Sequence, residues 1–175
     1  IALGTRHPLS LVREQIIDIF ARVGFTVAEG PEVEDDNHVY SLLNFAPEHP
    51  ARDMQDTFFL SNGNVLRTQT SAIQIRAMER DGVPIKMFGI GSTYRKEMDA
   101  THSPMFHQIE GLYIDKNITM TDLIADIRAF LSRYFGFDDI ELRIRPSYFP
   151  FTDPSIEVDM KWKNGKWLEI MGAGM

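Results

Sequence analysis

Apolar residues recur at helical spacing in three stretches of the chain. One helical face in residues 10–23 is formed by Val12, Ile16, Ile19, Phe20 and Val23. We predict Ser10 as the N-cap of this helix and Gly24 as its stop. A longer stripe in residues 119–135 contains Leu123, Ile124, Ile127, Phe130, Leu131 and Tyr134. The third predicted helix spans 70–82, with Thr70 as its cap and Asp81-Gly82 at its end.

Alternating apolar and polar residues predict strands between these helices. The predicted strand pairs are 57–60 with 64–68, 85–97 with 106–115, and 156–162 with 166–172. Asn164-Gly165 is the strongest hairpin turn signal in the sequence. Residues 24–33 read as an extended segment ending at Pro31, and 141–145 as a half-buried strand. About seven strands, mostly connected by hairpins, with three or four helices predict an α+β fold in one domain, 1–175. We expect an antiparallel β-sheet flanked by helices.

Composition narrows the classes of function. The chain has 175 residues, 43% of them hydrophobic, which excludes a disordered chain. A net charge of -7 argues against a protein that coats nucleic acid, but it permits a nucleotide site built from a few arginines. The absence of cysteine excludes disulfides, thiolate metal sites and a cysteine nucleophile. No apolar run approaches the ~20 residues that span a bilayer, and no signal peptide is apparent, so we expect a cytoplasmic protein without membrane association.

The first candidate site lies on two predicted strands. If these strands pair antiparallel, alternation places one group of side chains on a single sheet face: Arg95, Glu97, Phe106, Gln108 and Glu110. A guanidinium binds phosphate oxygens, an aromatic ring stacks on a base, and carboxylates and amides hold an amino group. The pattern therefore predicts a nucleotide and an amine held side by side. A solvated sheet face with alternating charges would give the same pattern.

Two further segments have candidate ligand contacts. In residues 143–154, Phe149 and Phe151 stand among three prolines, which we expect to break a regular strand. They suit a pocket for an apolar ring, and the alternative is an aromatic plug in the core under a loop. Ser71 and Gln74 share one helical face near an N-terminus, where a carboxylate or phosphate can bind. Simple helix capping is the alternative there.

Other common catalytic arrangements are absent from the sequence. The five histidines form no i, i+4 pair of the kind found in helical zinc sites. There is no Gly-x-Gly-x-x-Gly, no Walker loop and no Gly-x-Ser-x-Gly. These absences favour nucleotide binding without a glycine-rich cradle.

Several blocks together resemble one family over essentially the whole chain. YRKE followed by HSPMFHQIEGL is similar to class II motif 2, and GFTVAEGPEVEDD to motif 1 with Pro31 at an interface. HPARD, LRTQTS, RPSYFPFT and GKWLEIMGAGM narrow the resemblance to the catalytic domain of bacterial-type phenylalanyl-tRNA synthetase alpha subunits. The resemblance implies a class II synthetase fold that is incomplete at its C-terminal end. Motif 3 and an N-terminal coiled coil are expected outside the chain, so the isolated piece is expected to be nearly inactive.

The resemblance also implies site residues. Those expected to bind ATP are Arg95, Glu97, His102 and Phe106, with Arg95 as the catalytic residue on the α-phosphate. Those expected to bind phenylalanine are Gln69, Ser71, Gln74, Gln108, Glu110, Phe149, Phe151, Gly172, Ala173 and Gly174. A side chain at the last three positions is expected to collide with the ligand. Asp153 stands where relatives commonly have Glu at a magnesium site, Gln69 where some have His, and Gln55 where some have Trp.

The implied activity is ATP-dependent activation of L-phenylalanine and its transfer to tRNA(Phe). The implied cofactor is Mg²⁺, and the implied partner is a beta subunit in an alpha2beta2 heterotetramer. Attack of a carboxylate on the α-phosphorus depends on positioning and charge neutralisation, so no thiol or triad is required. Two alternatives are a pyrrolysyl-like synthetase of the same subgroup and a synthetase-like module that has lost catalysis.

Overall fold

The computed structural model describes residues 4–53, 56–96 and 102–175, which divide into two units. The middle unit is Thr26–Lys116, and the terminal unit combines the described residues up to Phe25 with Asn117–Met175. The helices are α1 (Pro8–Ala21), α2 (Asp36–Val39), α3 (Ser71–Asp81) and α4 (Met120–Phe135). The strands are β1 (Thr26–Ala28), β2 (Val33–Glu34), β3 (Val65–Leu66), β4 (Ile85–Tyr94), β5 (Met105–Ile114), β6 (Leu142–Phe149), β7 (Thr152–Lys161) and β8 (Trp167–Gly174). None of the described helices is long and apolar enough to cross a membrane.

All three long helices lie where the periodicity predicts them, but the N-cap of α1 is not the predicted residue. The Nδ1 atom of His7 accepts a hydrogen bond from the Leu9 backbone N–H, at 3.1 Å, so His7 caps α1. The prediction of Ser10 as N-cap is wrong because Pro8 suits the first helical turn and lets the helix begin earlier. Thr70 does precede α3, but its side chain makes no capping hydrogen bond.

The strands form three sheets among the described residues, where the sequence predicted one antiparallel sheet. Their orders are β1-β4-β5, β2-β3 and β6-β7-β8. β1 and β4 run parallel because the chain between them contains α3, which is long enough to return it in the same direction. The predicted hairpin around residues 61–63 is present as a turn with a single bridge between Phe59 and Val65.

Within residues 143–154, the predicted interruption of the ladder by prolines is wrong at Pro146 and confirmed only after Ser147, where the register shifts. β6 passes through Pro146, which lies opposite Ile156 on β7. β6 is an edge strand, so a proline on its outer side needs no donor there. The ladder shifts register only between Ser147 and Phe149, just before the turn that leads into β7.

Each unit has its own apolar core. In the terminal unit, α4 covers one face of β6-β7-β8, and the buried residues are Ile127, Leu131, Ile140, Ile156, Val158 and Met160. α1 joins this unit through Phe20, which stacks on Phe130 with ring centroids 4.9 Å apart. In the middle unit, α3 packs Ile73 and Ala77 against Ala28 and Met87.

The opposite face of β6-β7 contains an ion-pair network. Arg143 Nε and Arg145 Nε each donate to Asp159 Oδ2, at 2.8 and 2.7 Å. Arg145 and Arg143 lower the pKa of Asp159 to about 2. Because Asp159 is almost completely buried, these two cations compensate a carboxylate that water scarcely reaches. The network therefore ties two adjacent strands together at their polar face.

The N-terminus of α4 offers a test of helix capping. Thr119 and Asp122 form a reciprocal capping box, in which each side chain accepts from the backbone N–H of the other residue. We predict that Thr119→Ala lowers the free energy of unfolding by about 1 kcal/mol, because it leaves a helix N–H without its partner. Urea unfolding of the chain measures this. Thr119→Ser keeps the hydroxyl and should remain close to the parent, and an Ala variant as stable as the parent would contradict the prediction.

Candidate active site

The predicted site face of β4 and β5 is present in the middle unit. The two strands pair antiparallel, and the predicted binding residues of β5 lie opposite small or short residues of β4, in the pairs Glu110 with Gly89, Gln108 with Gly91, and Phe106 with Thr93. Because alternate residues of a strand face the same side, the three side chains share one face. This register confirms the predicted antiparallel pairing. Glu97, the fifth member of the predicted group, lies outside the described residues, as does Gln55.

Glu110 is held by the beginning of α3. Ser71 Oγ donates to Glu110 Oε2 at 2.5 Å, and Gln74 Nε2 donates to the same oxygen at 3.1 Å. Both donors come from one face of the helix, as their spacing predicts. The hydroxyl of the buried Ser71 therefore bonds a carboxylate on another element rather than simply capping α3, and its contact with a ligand stays a prediction.

The environment of Glu110 makes its ionised form costly. Burial raises the pKa of this carboxyl, while the hydrogen bonds from Ser71 and Thr70 and the charge of Arg95 act in the opposite direction. A carboxylate removed from water in this way gains most from a bound cation. The arrangement thus suits recognition of an ammonium group.

Amides complete this part of the site. The Thr70 backbone N–H donates to Gln108 Oε1 at 3.3 Å, which orients the Gln108 amide. The Gln69 side-chain nitrogen is buried and has no hydrogen-bond partner within the described parts of the chain. Buried donors are normally paired, so this nitrogen is available to a ligand acceptor.

Arg95 and Phe106, two predicted ATP contacts, lie against each other. The guanidinium carbon of Arg95 is 5.2 Å from the centroid of the Phe106 ring, and Arg95 Nε donates to the Thr68 carbonyl at 3.1 Å. A cation beside a partly exposed aromatic ring suits a phosphate next to a stacked base. His102, the remaining described residue of the predicted ATP group, is exposed.

The aromatic pair of the terminal unit is surface-facing. The Phe149 and Phe151 rings stack with centroids 6.2 Å apart and planes at 24°. Phe151 is 37% exposed and Phe149 is partly exposed, so the pair is no core plug. Contact of the two rings with an aromatic ligand stays a prediction.

Gly172 and Gly174 are required by the chain itself. A Cβ at Gly172 would lie 2.8 Å from Phe149 Cε2, and one at Gly174 would lie 2.6 Å from Pro154 O. Collision with a ligand at these glycines stays a prediction. The side chain of Ala173, between them, packs instead against the core beneath α4. The Ala173 side chain thus faces the side of the strand opposite to Gly172 and Gly174, because alternate residues of a strand face opposite sides, and its predicted place in the ligand site stays a prediction.

Ser155 is a structural residue of this segment that the sequence analysis missed. Its buried hydroxyl accepts from the Phe149 backbone N–H at 3.1 Å and donates to the Thr152 carbonyl at 3.0 Å. A single hydroxyl thus closes the turn that presents the two phenylalanines. The signal available in the sequence was a serine directly after a proline in a turn, where hydroxyls commonly bond to nearby backbone.

Candidate metal ligands are sparse in the described residues. Asp153 is an exposed carboxylate, and it lies outside the group whose ligand atoms come together, which is Glu34, Asp35 and His38. In that group Arg76 holds both oxygens of the buried Glu34, and His38 Nδ1 lies 2.8 Å from Asp35 Oδ1. The group is an ion-pair network whose ligand atoms are already engaged.

Comparison with solved structures identifies the class of fold. Two structures of pyrrolysyl-tRNA synthetase from Desulfitobacterium hafniense match with TM-scores of 0.73 and 0.71, each at 21% sequence identity. The matches cover 97% and 95% of this chain and 60% and 58% of those chains. At this identity the likeness shows the fold alone, which is that of a tRNA synthetase.

Sequence comparison gives the family. The family described as "tRNA synthetases class II core domain (F)" matches residues 1–175, and the chain belongs to it. Similar curated proteins are phenylalanine–tRNA ligase alpha subunits from Neisseria meningitidis serogroup B, Laribacter hongkongensis and Nostoc punctiforme, at 51%, 53% and 54% identity. These matches cover 98%, 99% and 98% of this chain but 52%, 53% and 52% of the relatives. The chain thus spans about half their length, and the predicted fold class and resemblance are confirmed.

The raised pKa of Glu110 gives a pH-dependent prediction. A carboxyl whose folded pKa exceeds its ordinary value of 4.5 destabilises the fold progressively as the pH rises through that range, because folding then requires ionisation of a group that is partly shielded from water. We predict that Glu110→Gln is more stable than the parent at neutral pH and that this advantage shrinks toward acid pH. Urea unfolding between about pH 4 and pH 8 measures the difference. Parallel stability curves for the two proteins would contradict it.

A double-mutant cycle tests the close approach at Gly172. We predict that Gly172→Ala destabilises the chain by about 1–3 kcal/mol, because its methyl group displaces the Phe149 ring. In a Phe149→Ala background the same change should be neutral or stabilising by up to about 1 kcal/mol, since alanine is the better strand residue. Gly4→Ala is the matched control, because nothing lies within 4 Å of its added Cβ. Equal costs in both backgrounds would disprove the contact.

Proposed function

We propose that the protein containing this chain is a phenylalanine–tRNA ligase, which activates L-phenylalanine with ATP and transfers it to tRNA(Phe). The observation that supports this most directly is the set of relatives named phenylalanine–tRNA ligase alpha subunit, to which this chain is 51–54% identical over nearly its whole length. Two groups of residues in the middle unit, Glu110 with Gln108 and Arg95 with Phe106, offer the two chemical functions that such a reaction needs. These are a place for an ammonium group and a place for a phosphate beside a base.

In this proposal the amino-acid ammonium binds at Glu110 and Gln108. Ser71 and Gln74 orient the Glu110 carboxylate through their hydrogen bonds. The bound ammonium then compensates this carboxylate for contacts with water that it loses in the folded chain. The buried Gln69 nitrogen offers one further donor to an acceptor on the ligand. Binding the cationic amino group should lower the pKa of Glu110, so the carboxylate is ionised when the substrate is present.

Arg95 acts on the α-phosphate, and Phe106 stacks on adenine. The substrate carboxylate attacks the α-phosphorus, the bond to the bridging oxygen of pyrophosphate breaks, and phenylalanyl-adenylate remains. Arg95 offsets the negative charge that grows on the phosphorus oxygens during this step. In the second step a terminal hydroxyl of tRNA attacks the aminoacyl carbonyl carbon and AMP leaves. We assign Glu97 and His102 to ATP by resemblance.

In this proposal, residues of the terminal unit bind the aromatic side chain of the phenylalanine substrate. We propose that Phe149 and Phe151 contact the benzyl ring of phenylalanine and that Gly172 and Gly174 keep their strand free of side chains. Ser155 supports the pair through the turn that it closes. A site lined by phenyl rings penalises tyrosine, because its hydroxyl would be buried without a partner.

The residues assigned to the site leave one carboxylate ligand for Mg²⁺, that of Asp153. Mg²⁺ commonly keeps several waters and binds through one or two carboxylates plus substrate phosphates, so it needs no all-protein cage. Asp153 is exposed and offers one such carboxylate, and we propose that it holds the ion. When bound, Mg²⁺ would neutralise phosphate charge.

The relatives are named alpha subunits, which implies a partner subunit. We propose a beta subunit in an alpha2beta2 assembly, with tRNA(Phe) as the nucleic-acid substrate and the cytoplasm as location. A pyrrolysyl-like synthetase of the same subgroup is the alternative for the amino acid. It is disfavoured because the similarity to the two pyrrolysyl-tRNA synthetase structures is limited to the fold. A module without catalysis is disfavoured because Arg95, Phe106 and Glu110 are present and grouped on one face.

Reconstitution tests the proposed activity. The full-length alpha subunit, purified with its beta subunit, should catalyse ATP–pyrophosphate exchange that depends on L-phenylalanine and is far weaker with tyrosine or lysine derivatives. Exchange with another amino acid alone would replace the proposed substrate. The absence of exchange with any amino acid would favour the module without catalysis.

The catalytic role of Arg95 gives a mutational prediction. We expect Arg95→Ala to lower the rate of exchange at saturating phenylalanine by about 100-fold or more, because charge on the α-phosphate loses its partner. Steady-state exchange kinetics measure the rate, and equilibrium dialysis checks that phenylalanine still binds. Arg80→Ala is the matched control, an exposed arginine at the end of α3 that should leave the rate unchanged. An Arg95→Ala enzyme with the parental rate would remove Arg95 from the mechanism.

A further inference from the structure

Arg67 is a buried arginine to which neither the sequence nor the proposed chemistry gives a role. It is 2% exposed and lies just after β3. Its guanidinium donates from Nε to the Ser92 carbonyl at 2.8 Å and from Nη1 to the carbonyls of Gly30 and Pro31, at 3.0 and 3.2 Å. A buried cation is costly unless its donors are satisfied, so these carbonyl contacts explain how the charge is tolerated.

The backbone of Arg67 also connects the segment that follows β1, residues 30–32, with the end of β4. Its N–H donates to the Glu32 carbonyl at 2.9 Å, and its carbonyl accepts from the Tyr94 N–H at 3.0 Å. Main chain and side chain together therefore fasten residues 30–32 to the end of β4. A planar guanidinium reaches carbonyls on both sides at once, which the single ammonium of lysine cannot do with the same geometry.

Gly91 on β4 leaves the space that the Arg67 side chain fills. A Cβ at Gly91 would clash with the Arg67 guanidinium, because it would lie 3.0 Å from the guanidinium carbon and closer still to Nη2. Gly91 lies opposite Gln108, so Arg67 lies at the same face of β4 as the predicted binding residues. Only a residue without a side chain lets the guanidinium pass there.

Arg95 directly follows the strand end that Arg67 fastens. The Arg95 side chain is itself anchored on the next residue after Arg67, through Nε to the Thr68 carbonyl at 3.1 Å. We propose that Arg67 is a positioning residue, which holds residues 92–95 and Thr68 in the geometry that places Arg95 on the reacting phosphate. This inference rests on the proposed function, because it assigns Arg67 a part in the same phosphate step.

Arg67→Lys in the full alpha–beta enzyme tests this. We expect the exchange rate at saturating substrates to fall about 10-fold or more, as small misplacements of a catalytic group do, while the KM for phenylalanine changes by less than about threefold. Gly91→Ala, which pushes the guanidinium aside without removing it, should give the same pattern. Arg80→Lys is the matched control and should leave both constants unchanged. A parental rate in Arg67→Lys would overturn the proposal.

A double-mutant cycle separates positioning from general stability. In an Arg95→Lys background, Arg67→Lys should have much less than its effect in the parent, because the group it positions has already been replaced. A purely structural role would lower the rate by the same factor in both backgrounds, which would overturn the proposal. Thermal unfolding of each variant shows that folded proteins are compared, and Gly91→Ala replaces Arg67→Lys if the latter does not fold.

A structural measurement keeps this inference independent of the substrate. If the parent enzyme shows no phenylalanine-dependent exchange, the proposed function fails, and crystal structures of the parent and Arg67→Lys then decide the positioning role. Loss of the hydrogen bond between Arg95 Nε and the Thr68 carbonyl in the variant supports it. An unmoved Arg95 with that hydrogen bond intact overturns it.

Discussion

The antiparallel register between β4 and β5 is the constraint on which the candidate site of the middle unit depends. It sets Glu110 and Gln108 opposite Gly89 and Gly91, where the absence of side chains leaves room above the sheet. Into that room come Ile73 from α3 and the guanidinium of Arg67. A shift of one residue would turn every binding side chain of β5 to the other face, so the glycines and the register specify each other.

Burial and polarity are combined in this region in a way that is costly for the fold and useful for binding. Burial raises the pKa of Glu110, and the Gln69 nitrogen lacks a partner within the described residues. Arg67 brings a full charge into the interior, where its side-chain hydrogen bonds to described residues go to the carbonyl oxygens of Ser92, Gly30 and Pro31. Such groups are stabilised by ligands or by rigid geometry, which is why they concentrate at sites of function. The ion pairs of Asp159 in the terminal unit show the opposite case, a buried carboxylate fully engaged by the chain.

The terminal unit uses backbone geometry where the middle unit uses charge. Phe149 and Phe151 extend from a turn closed by the Ser155 hydroxyl. The absence of a side chain at Gly172 leaves space for the Phe149 ring. The apolar face of the same sheet rests on α4, so the strands are held from one side and free to present side chains on the other. Binding residues commonly lie on loops or turns that a rigid scaffold positions, and this segment has that arrangement.

Local patterns in the sequence were enough to predict the long helices, the β4–β5 and β7–β8 hairpins and the face shared by Phe106, Gln108 and Glu110, because periodicity and turn residues act locally. The motif blocks were enough to predict the family. The division of the strands among sheets, the course of β6 through Pro146 and the packing of the Ala173 side chain against the core could be seen only once the chain had folded. These outcomes depend on which strand has an unpaired edge and which face is covered, and both are non-local. The roles of Arg67 and Ser155 belong to the same category, since the partners described for them are backbone carbonyl and N–H groups, which nearly any sequence would provide.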